Sequence, residues 1–321
     1  MVSVCIALYN GEKFIEKQLL SIKNQTQKAE EVIICDDGST DNSVLICQNF
    51  IKNNNLKGWE VVKNPKNVGY CLNFFGAIER AKGDIIFLCD QDDEWHENKV
   101  AEMCRVLNQN PEIKVLSSRY NIIDENSRII ENSGITYLGE VFDGSLSPVT
   151  VNSLIGCSYI RGFATCFRAE VKKYLKPIDV KSLLAHDWFI NIVGAIIGKS
   201  AVLNTKLCNY RYHQNNLSLS DMTRKTFLGD RQKRVDGLKE SITAHTYLLS
   251  LELLKSDRKN IESFIKFEEK RLKFLQTKNL FVWLSLAFCI KNYSRYYKSF
   301  KGAIRVFLGD FCYAYNINFT K

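Results

Sequence analysis

Three short apolar runs, Val2 to Leu8, Glu31 to Cys35 and Asp84 to Cys89, each end abruptly in polar residues, and stretches with apolar residues at helical spacing lie between them. This alternation constrains the fold more than any other feature, because strands separated by crossover helices pair in parallel and bury both faces of the sheet. Tyr9-Asn10-Gly11 turns the chain into a helix whose apolar face is Phe14, Ile15, Leu19 and Ile22. Asp36-Asp37-Gly38-Ser39-Thr40-Asp41 follows the second run, with Thr40 or Asp41 placed to cap the next helix. Trp59 to Lys63 reads as a further strand. Asn64-Pro65-Lys66-Asn67-Val68-Gly69 follows it, then a helix through Phe74, Ala77, Ile78 and Ala81 for which Asn73 is the expected cap. Open α/β sheets bind ligands at the carboxyl ends of their strands, so these polar clusters are expected along one functional edge.

The run Asp90-Gln91-Asp92-Asp93-Glu94-Trp95 crowds carboxylates onto that edge. Acids this close repel one another unless a hard divalent ion or a hydrogen-bonding ligand compensates them, which points to Mg²⁺ or Mn²⁺ carrying a phosphate-bearing ligand. The competing explanation is an acidic turn that caps the following helix. No GxGxxG follows any strand run, which argues against a dinucleotide oxidoreductase.

At 321 residues the chain accommodates one large domain, or one with an appendage. Its basicity sits at one end. Residues 224 to 321 hold 20 Lys and Arg against 9 Asp and Glu, a balance of +11, which leaves −2 of the total +9 for residues 1 to 223. Acidic chemistry and basic surface therefore belong to different parts of the chain. Ile155 to Phe167 reads as two short strands around a Gly-rich bend, Leu183 to Ile190 opens an apolar helix running to about Ile197, and after Asn216 only helical periodicity remains. Leu280 to Ile290 is too short to span a bilayer. The residues around and after it, among them Tyr293, Arg295, Tyr296, Tyr297, Lys298, Phe300, Lys301 and Arg305, suit peripheral membrane contact through 280–308. The alternatives are docking on the rest of the chain or on a second copy as a homo-oligomer. Nucleic-acid binding has no fold signature to support it. The 11 cysteines form no CxxC pair, and Val2 to Leu8 lacks a basic leader. A reducing, cytoplasmic setting is expected, at the inner face of the cytoplasmic membrane.

Val2-Ser3-Val4 to Tyr9-Asn10, Asp36 to Asp41, Asn67-Val68-Gly69, Asp90 to Trp95, His186-Asp187-Trp188 and Tyr210-Arg211-Tyr212-His213-Gln214-Asn215-Asn216, in that order, resemble the inverting GT-A glycosyltransferases of family 2, bacterial rhamnosyltransferase-like members in particular. Ala7 stands where the family often has Pro. The resemblance covers roughly residues 2 to 220. It implies an α/β, Rossmann-like nucleotide-sugar-binding catalytic domain over 1–220 with a mostly parallel central sheet, and a helical, basic extension over 221–321. The donor it implies is a nucleotide-diphosphate sugar, dTDP-rhamnose or a UDP-sugar. The implied acceptor is a glycan or lipid-linked glycan of bacterial surface polysaccharide.

By that resemblance Asp37 accepts hydrogen bonds from the donor's base, against a wall of Ala7, Leu8 and Tyr9. Asn67, Gly69 and Gln91 also contact the donor, Asp90 meets its ribose, and Arg211 pairs with phosphate. Asp92 or Asp93 holds the metal with His213. Asp187 is the general base, and Arg161, Gly162 and Trp188 lie on the acceptor side. The competing structural roles are helix capping for Asp36, Asp37 and Asp187, hydrogen bonding within the fold for His213, and capped or solvated positions for His96 and His245. A sugar nucleotidyltransferase would need a Gly-rich, Arg-containing loop after the first strand, where this chain has Tyr9-Asn10-Gly11. A non-catalytic nucleotide-sugar or glycan-binding scaffold at the membrane is the reading from a different class.

Overall fold

A computed structural model of the chain describes residues 1–131, 141–156, 159–175, 186–213, 231–251, 257–297, 300–315 and 317. Its strands and helices begin β1 (Val2–Leu8), α1 (Ile15–Lys23), β2 (Glu31–Asp36), α2 (Ser43–Asn53), β3 (Trp59–Lys63), α3 (Tyr70–Arg80), β4 (Ile85–Asp90), β5 (Glu94–Trp95), α4 (Lys99–Gln109) and β6 (Ile113–Ile123). They continue with β7 (Leu146–Val149), α5 (Val151–Leu154), β8 (Thr165–Arg168), α6 (His186–Ile197) and β9 (Lys199–Arg211). The described helices that follow are α7 (Arg231–Leu249), α8 (Arg258–Thr277), α9 (Leu280–Leu286), α10 (Ile290–Tyr297) and α11 (Phe300–Tyr315).

Contacts divide the chain into two compact units. One comprises Met1–Thr150, Tyr159–Pro177 and Ala185–His213; the other Val151–Ser158, Ile178–Leu184 and Gln214–Lys321. The expected boundary near 220 lies outside the described residues, as do Cys157, Ser158, Leu183 to Ala185, Gln214 to Asn216 and Lys298.

The first unit is built on a nine-stranded sheet ordered β3-β2-β1-β4-β8-β6-β9-β5, with β7 on β9. Strands β1 to β4 pair in parallel, and β6 and β9 share their direction, while β5, β7 and β8 run the other way. The sheet is thus α/β and mostly parallel, as the alternation predicts. Register sets the functional edge: Ala7 of β1 lies opposite Cys35 and Asp90, and Leu8 opposite Asp36, so three strands end level. Val4, Ile6, Leu8, Val32 and Ile34 join Ile15, Leu19 and Ile22 of α1 and Cys47 and Phe50 of α2 in one buried cluster. Burying each such side chain contributes about 1.5–3 kcal/mol, which fixes the strand ends in place.

Two local expectations change. Helix α3 starts at Tyr70 behind Gly69, whose φ of 85° favours glycine, and Asn73 is not its cap. Asn73 is instead buried inside the helix, where it donates to the Cys35 carbonyl at 2.8 Å and accepts from Asn64 at 2.9 Å. Where two strands were expected around Gly162, the described residues form a 3₁₀ turn, Gly162–Ala164, that leads into β8.

The second unit is helical, and its interior is unusually polar. Arg271 and Asp310, both buried, pair at 2.6 and 2.7 Å, and the Tyr293 hydroxyl donates to Asp310 at 2.8 Å. Glu268 accepts from Ser241 and from the Tyr296 hydroxyl, and Oε2 of Glu268 lies 3.9 Å from His245 Nδ1. His245 is fully buried, not solvated as its sequence context suggested. Among the described residues, no helix is long and apolar enough to cross a membrane.

Candidate active site

The loops after β1, β2 and β3 are laced together before any ligand is considered. Asn10, at φ 49°, takes a hydrogen bond from Thr40 N and donates its own N–H to Ser39 Oγ. Gly11 N donates to Ser43 Oγ at 2.7 Å. Asp37 is buried, and its carboxylate accepts from Asn64 Nδ2 at 2.9 Å, Val68 N at 2.8 Å and Gly69 N at 2.8 Å. Its backbone carbonyl accepts from Asn67 Nδ2 at 2.9 Å. Asp37, Asn67 and Gly69 thus form one knot at the start of α3, and a carboxylate with three donors keeps only limited capacity for a base edge. Asp36 turns to the other face of the sheet and takes the Ser39 N–H at 3.2 Å.

Strand alternation also decides the proposed wall. Ala7 is half-buried and Tyr9 exposed, whereas Leu8 is fully buried in the core and does not reach the edge. Gln91 is committed as well. Its Oε1 accepts from Tyr9 N at 2.8 Å and its Nε2 donates to Tyr9 O at 3.0 Å, so it fixes the β1 loop and keeps one N–H and one lone pair beyond that pairing.

The acids of the β4 turn separate by burial. Asp92 is partly exposed and its Oδ2 lies 2.9 Å from His213 Nε2, with the imidazole resting on Phe14 at 5.1 Å. Asp93 is fully buried; its Oδ1 accepts from Arg211 N at 2.9 Å, and its Oδ2 has no hydrogen-bond partner. Burial first, then the charges of Asp92 and Asp90, pushes the Asp93 carboxyl well above the carboxylate range. Asp90 is raised to about 7 by burial, then by Asp92 and Asp187, with Arg161 and Lys99 pulling the other way.

The arrangement suits a divalent cation. Asp92 and His213 bring an oxygen and a nitrogen together at 2.9 Å, beside Asp90 and Asp93, whose charge Lys99 and, at Asp90, Arg161 offset only in part. Among the described residues, no three metal-ligating side chains converge. Two protein ligands would suffice only for a Mg²⁺ or Mn²⁺ whose coordination substrate phosphates and water complete.

Arg211, expected to pair with phosphate, is engaged within the fold. Its guanidinium is fully buried, donates to Glu94, to the carbonyls of Asp92, Asp124 and Glu125 and to Ser127, and stacks on Phe14 at 4.8 Å. Reaching a diphosphate would break that set, so its role is to anchor the β4 turn to the end of β9.

Asp187 opens α6 and is buried. Its Oδ1 accepts from Trp188 N at 2.6 Å and its Oδ2 from Gly162 N at 3.1 Å. The charge it exerts on Asp90 places it at the same edge. Beside it, His186 stacks on Phe74 at 4.0 Å with neither ring nitrogen hydrogen-bonded, and burial lowers its pKa, so the ring is neutral. Gly162 touches this ring closely and is itself buried. Arg161 is half-buried near Asp90. Trp188 is buried and offers no surface to an acceptor.

Lys99, the first residue of α4, carried no signal in the sequence. Its ammonium is buried, donates to the Phe163 carbonyl at 2.6 Å and sits 3.9 Å above the Trp95 ring. A cation at a helix N-terminus opposes the helix dipole, so its position is explained by the acids it faces rather than by α4.

The model of the family described as glycosyl transferase family 2 matches residues 3–167. An uncharacterised glycosyltransferase of Nostoc is 26% identical over 220 residues, covering 68% of this chain and 67% of that protein. The dTDP-rhamnosyl transferase RfbG of Shigella flexneri is 28% identical over 229 residues, 66% of this chain and 72% of that protein. An uncharacterised Mycobacterium tuberculosis relative is matched over only 60% of its length. Among solved structures, Staphylococcus aureus TarS 1-349 in complex with UDP-GlcNAc superposes with a TM-score of 0.63 at 16% identity, over 97% of this chain and 89% of that one. The match over more than half of its length, on the strands that carry the acid edge, makes the chain a member of glycosyl transferase family 2.

Proposed function

We propose that the protein transfers one sugar from a nucleotide-diphosphate donor to a hydroxyl of a glycan or lipid-linked glycan at the inner face of the cytoplasmic membrane, with inversion at the anomeric carbon. The observation that carries this reading is the gathering of Asp90, the Asp92–His213 pair and Asp187 around the end of β4, level with the end of β1. A nucleotide lies in this reading against Ala7 and Tyr9, with the Asp37 knot bounding the base. Asp92 and His213 would hold the metal, with Asp93 buried beside them. Bound there, Mg²⁺ or Mn²⁺ would neutralise charge that develops on the leaving diphosphate.

Asp187 takes the proton of the attacking hydroxyl. Its two backbone N–H donors orient the carboxylate, and the neutral His186 beside it does not compete as a charged partner. The name of the Shigella relative makes dTDP-rhamnose the first donor to assay, and UDP-sugars come next.

Donor hydrolysis and transfer, measured with and without EDTA, test the assignment. Chelation and Asp92→Ala are each expected to lower the rate by about 10²-fold or more. Asp187→Asn is expected to abolish transfer while a thermal shift with donor and Mn²⁺ persists. Metal-independent turnover, or a folded Asp92→Ala protein with an unchanged rate, overturns the reading.

A further inference from the structure

The last helices of the second unit leave a large apolar surface in solvent. On α9 and the 3₁₀ turn after it, Leu280, Phe281, Leu284 and Phe288 are exposed, Phe281 at 83% and Phe288 at 93%. Their spacing places them on one helical face. Leu286 and Trp283 turn away from that face: Leu286 is buried, and Trp283 stacks on Phe307 of α11 at 4.6 Å. On α11, Phe300, Ile304 and Leu308 recur every fourth residue and are also exposed, Phe300 at 68%. A helix apolar all round is normally buried, and exposed apolar patches of this kind mark interaction surfaces.

Charge selects the occupant. Residues 270–309 contain 9 Lys and Arg and no Asp or Glu. Lys278, Lys291 and Lys301 are exposed in the same stretch. Two copies of this face brought together would oppose like charges with no acid to pair them. An anionic bilayer supplies both negative headgroups and an apolar layer.

We propose that this face seats on an anionic lipid surface. Phe281, Leu284, Phe288, Phe300, Ile304 and Leu308 enter the boundary between headgroups and acyl chains, and the lysines meet lipid phosphates. The inference deepens the lipid-linked acceptor reading and rests on it for its purpose, but adsorption to lipid does not require sugar transfer.

Sedimentation of the full-length protein with vesicles tests it, using phosphatidylcholine alone and the same lipid with about 30% phosphatidylglycerol. Binding is expected at least about tenfold tighter to the anionic vesicles, and weaker as salt rises from about 0.05 to about 0.5 M. Phe281→Ser with Phe288→Ser is expected to lower partitioning about tenfold or more with the melting temperature and donor hydrolysis unchanged, since both rings are already in solvent. Lys291→Gln with Lys301→Gln is expected to reduce the preference for anionic lipid. Absence of vesicle binding, or a Phe double variant that binds like the parent, overturns the proposal. So does a solution dimer that the Phe substitutions dissociate. A protein that binds vesicles but hydrolyses no donor refutes the transferase reading and leaves the lipid surface standing; an active enzyme that ignores vesicles does the reverse.

Discussion

Gly162→Ala probes the link between packing and catalysis most directly. A Cβ on residue 162 would lie 2.5 Å from His186 Nε2 and 3.3 Å from its Cε1. Carbon contacts are optimal near ~3.5–4.0 Å, so about 1 Å of movement is required. The ring has nowhere to go: it is 5% exposed and Phe74 lies against its face at 4.0 Å. The 161–163 backbone must yield instead, and it carries the N–H that donates to Asp187 Oδ2 at 3.1 Å. Overpacking of this kind costs about 1–3 kcal/mol. For a unit of this size that is a loss of roughly 2–10 °C in melting temperature. A displacement of 1 Å at a catalytic group lowers turnover by about 10²-fold. The assay is transfer at saturating donor, together with melting curves with and without donor. Turnover should fall by about two decades while the donor-induced thermal shift persists. His186→Ala in the same chain removes the clash, so the double variant should recover most of the lost stability relative to Gly162→Ala alone. A Gly162→Ala protein with parental melting and parental rate would refute the reasoning.

Two further substitutions address buried charged groups. Arg211→Met should cost about 3–5 kcal/mol, read as a lower melting midpoint, because Glu94 and several carbonyls lose their buried partner; a variant that folds normally but binds donor weakly would restore the phosphate role. In the second unit, burial raises Glu268 to about 7 and lowers His245 to about 4. Folded Glu268 holds a proton that the unfolded chain releases above its ordinary 4.5, so stability falls as pH rises from about 4.5 to about 7. His245 acts oppositely, since unfolded histidine takes up a proton below 6.5, and stability rises from about 4 to 6.5. Each amounts to about 3 kcal/mol, and the two largely cancel between pH 4.5 and 6.5. Urea denaturation of Glu268→Gln should therefore show stability climbing across that window, and a flat profile would contradict the assignment.

How much of this was legible in the sequence follows from what each residue's role depends on. The strands, their parallel pairing and the acid edge could be read because they rest on local periodicity and on strand ends that line up. The knot of Asp37 with Val68 and Gly69 could not, since it joins loops 31 and 32 residues apart. Leu8 was legible in principle, since counting by two from Val4 and Ile6 puts it on the face that packs in the same cluster. Arg211 and Lys99 were not, because a buried cation looks in sequence like any surface cation, and only the acids gathered around it by the fold reveal its use. The same limit hid the polar interior of the helical unit, where Arg271 and Asp310 lie 39 residues apart.

The cations that the fold does place argue for what the acids are missing. Asp90, Asp92, Asp93, Glu94 and Asp187 meet Arg211, Lys99 and Arg161, with Arg211 taken by Glu94 and Lys99 donating to a carbonyl. Burial pushes the carboxyls of Asp93 and Asp90 upward, so protons relieve part of the crowding, and Asp92 with His213 forms the least buried part of the cluster. In the proposed reading, a divalent ion beside Asp92 and His213 would supply the positive charge that a diphosphate needs to meet on arrival. Such an edge, its acids raised by burial and by one another, would then favour cation and donor together over either alone.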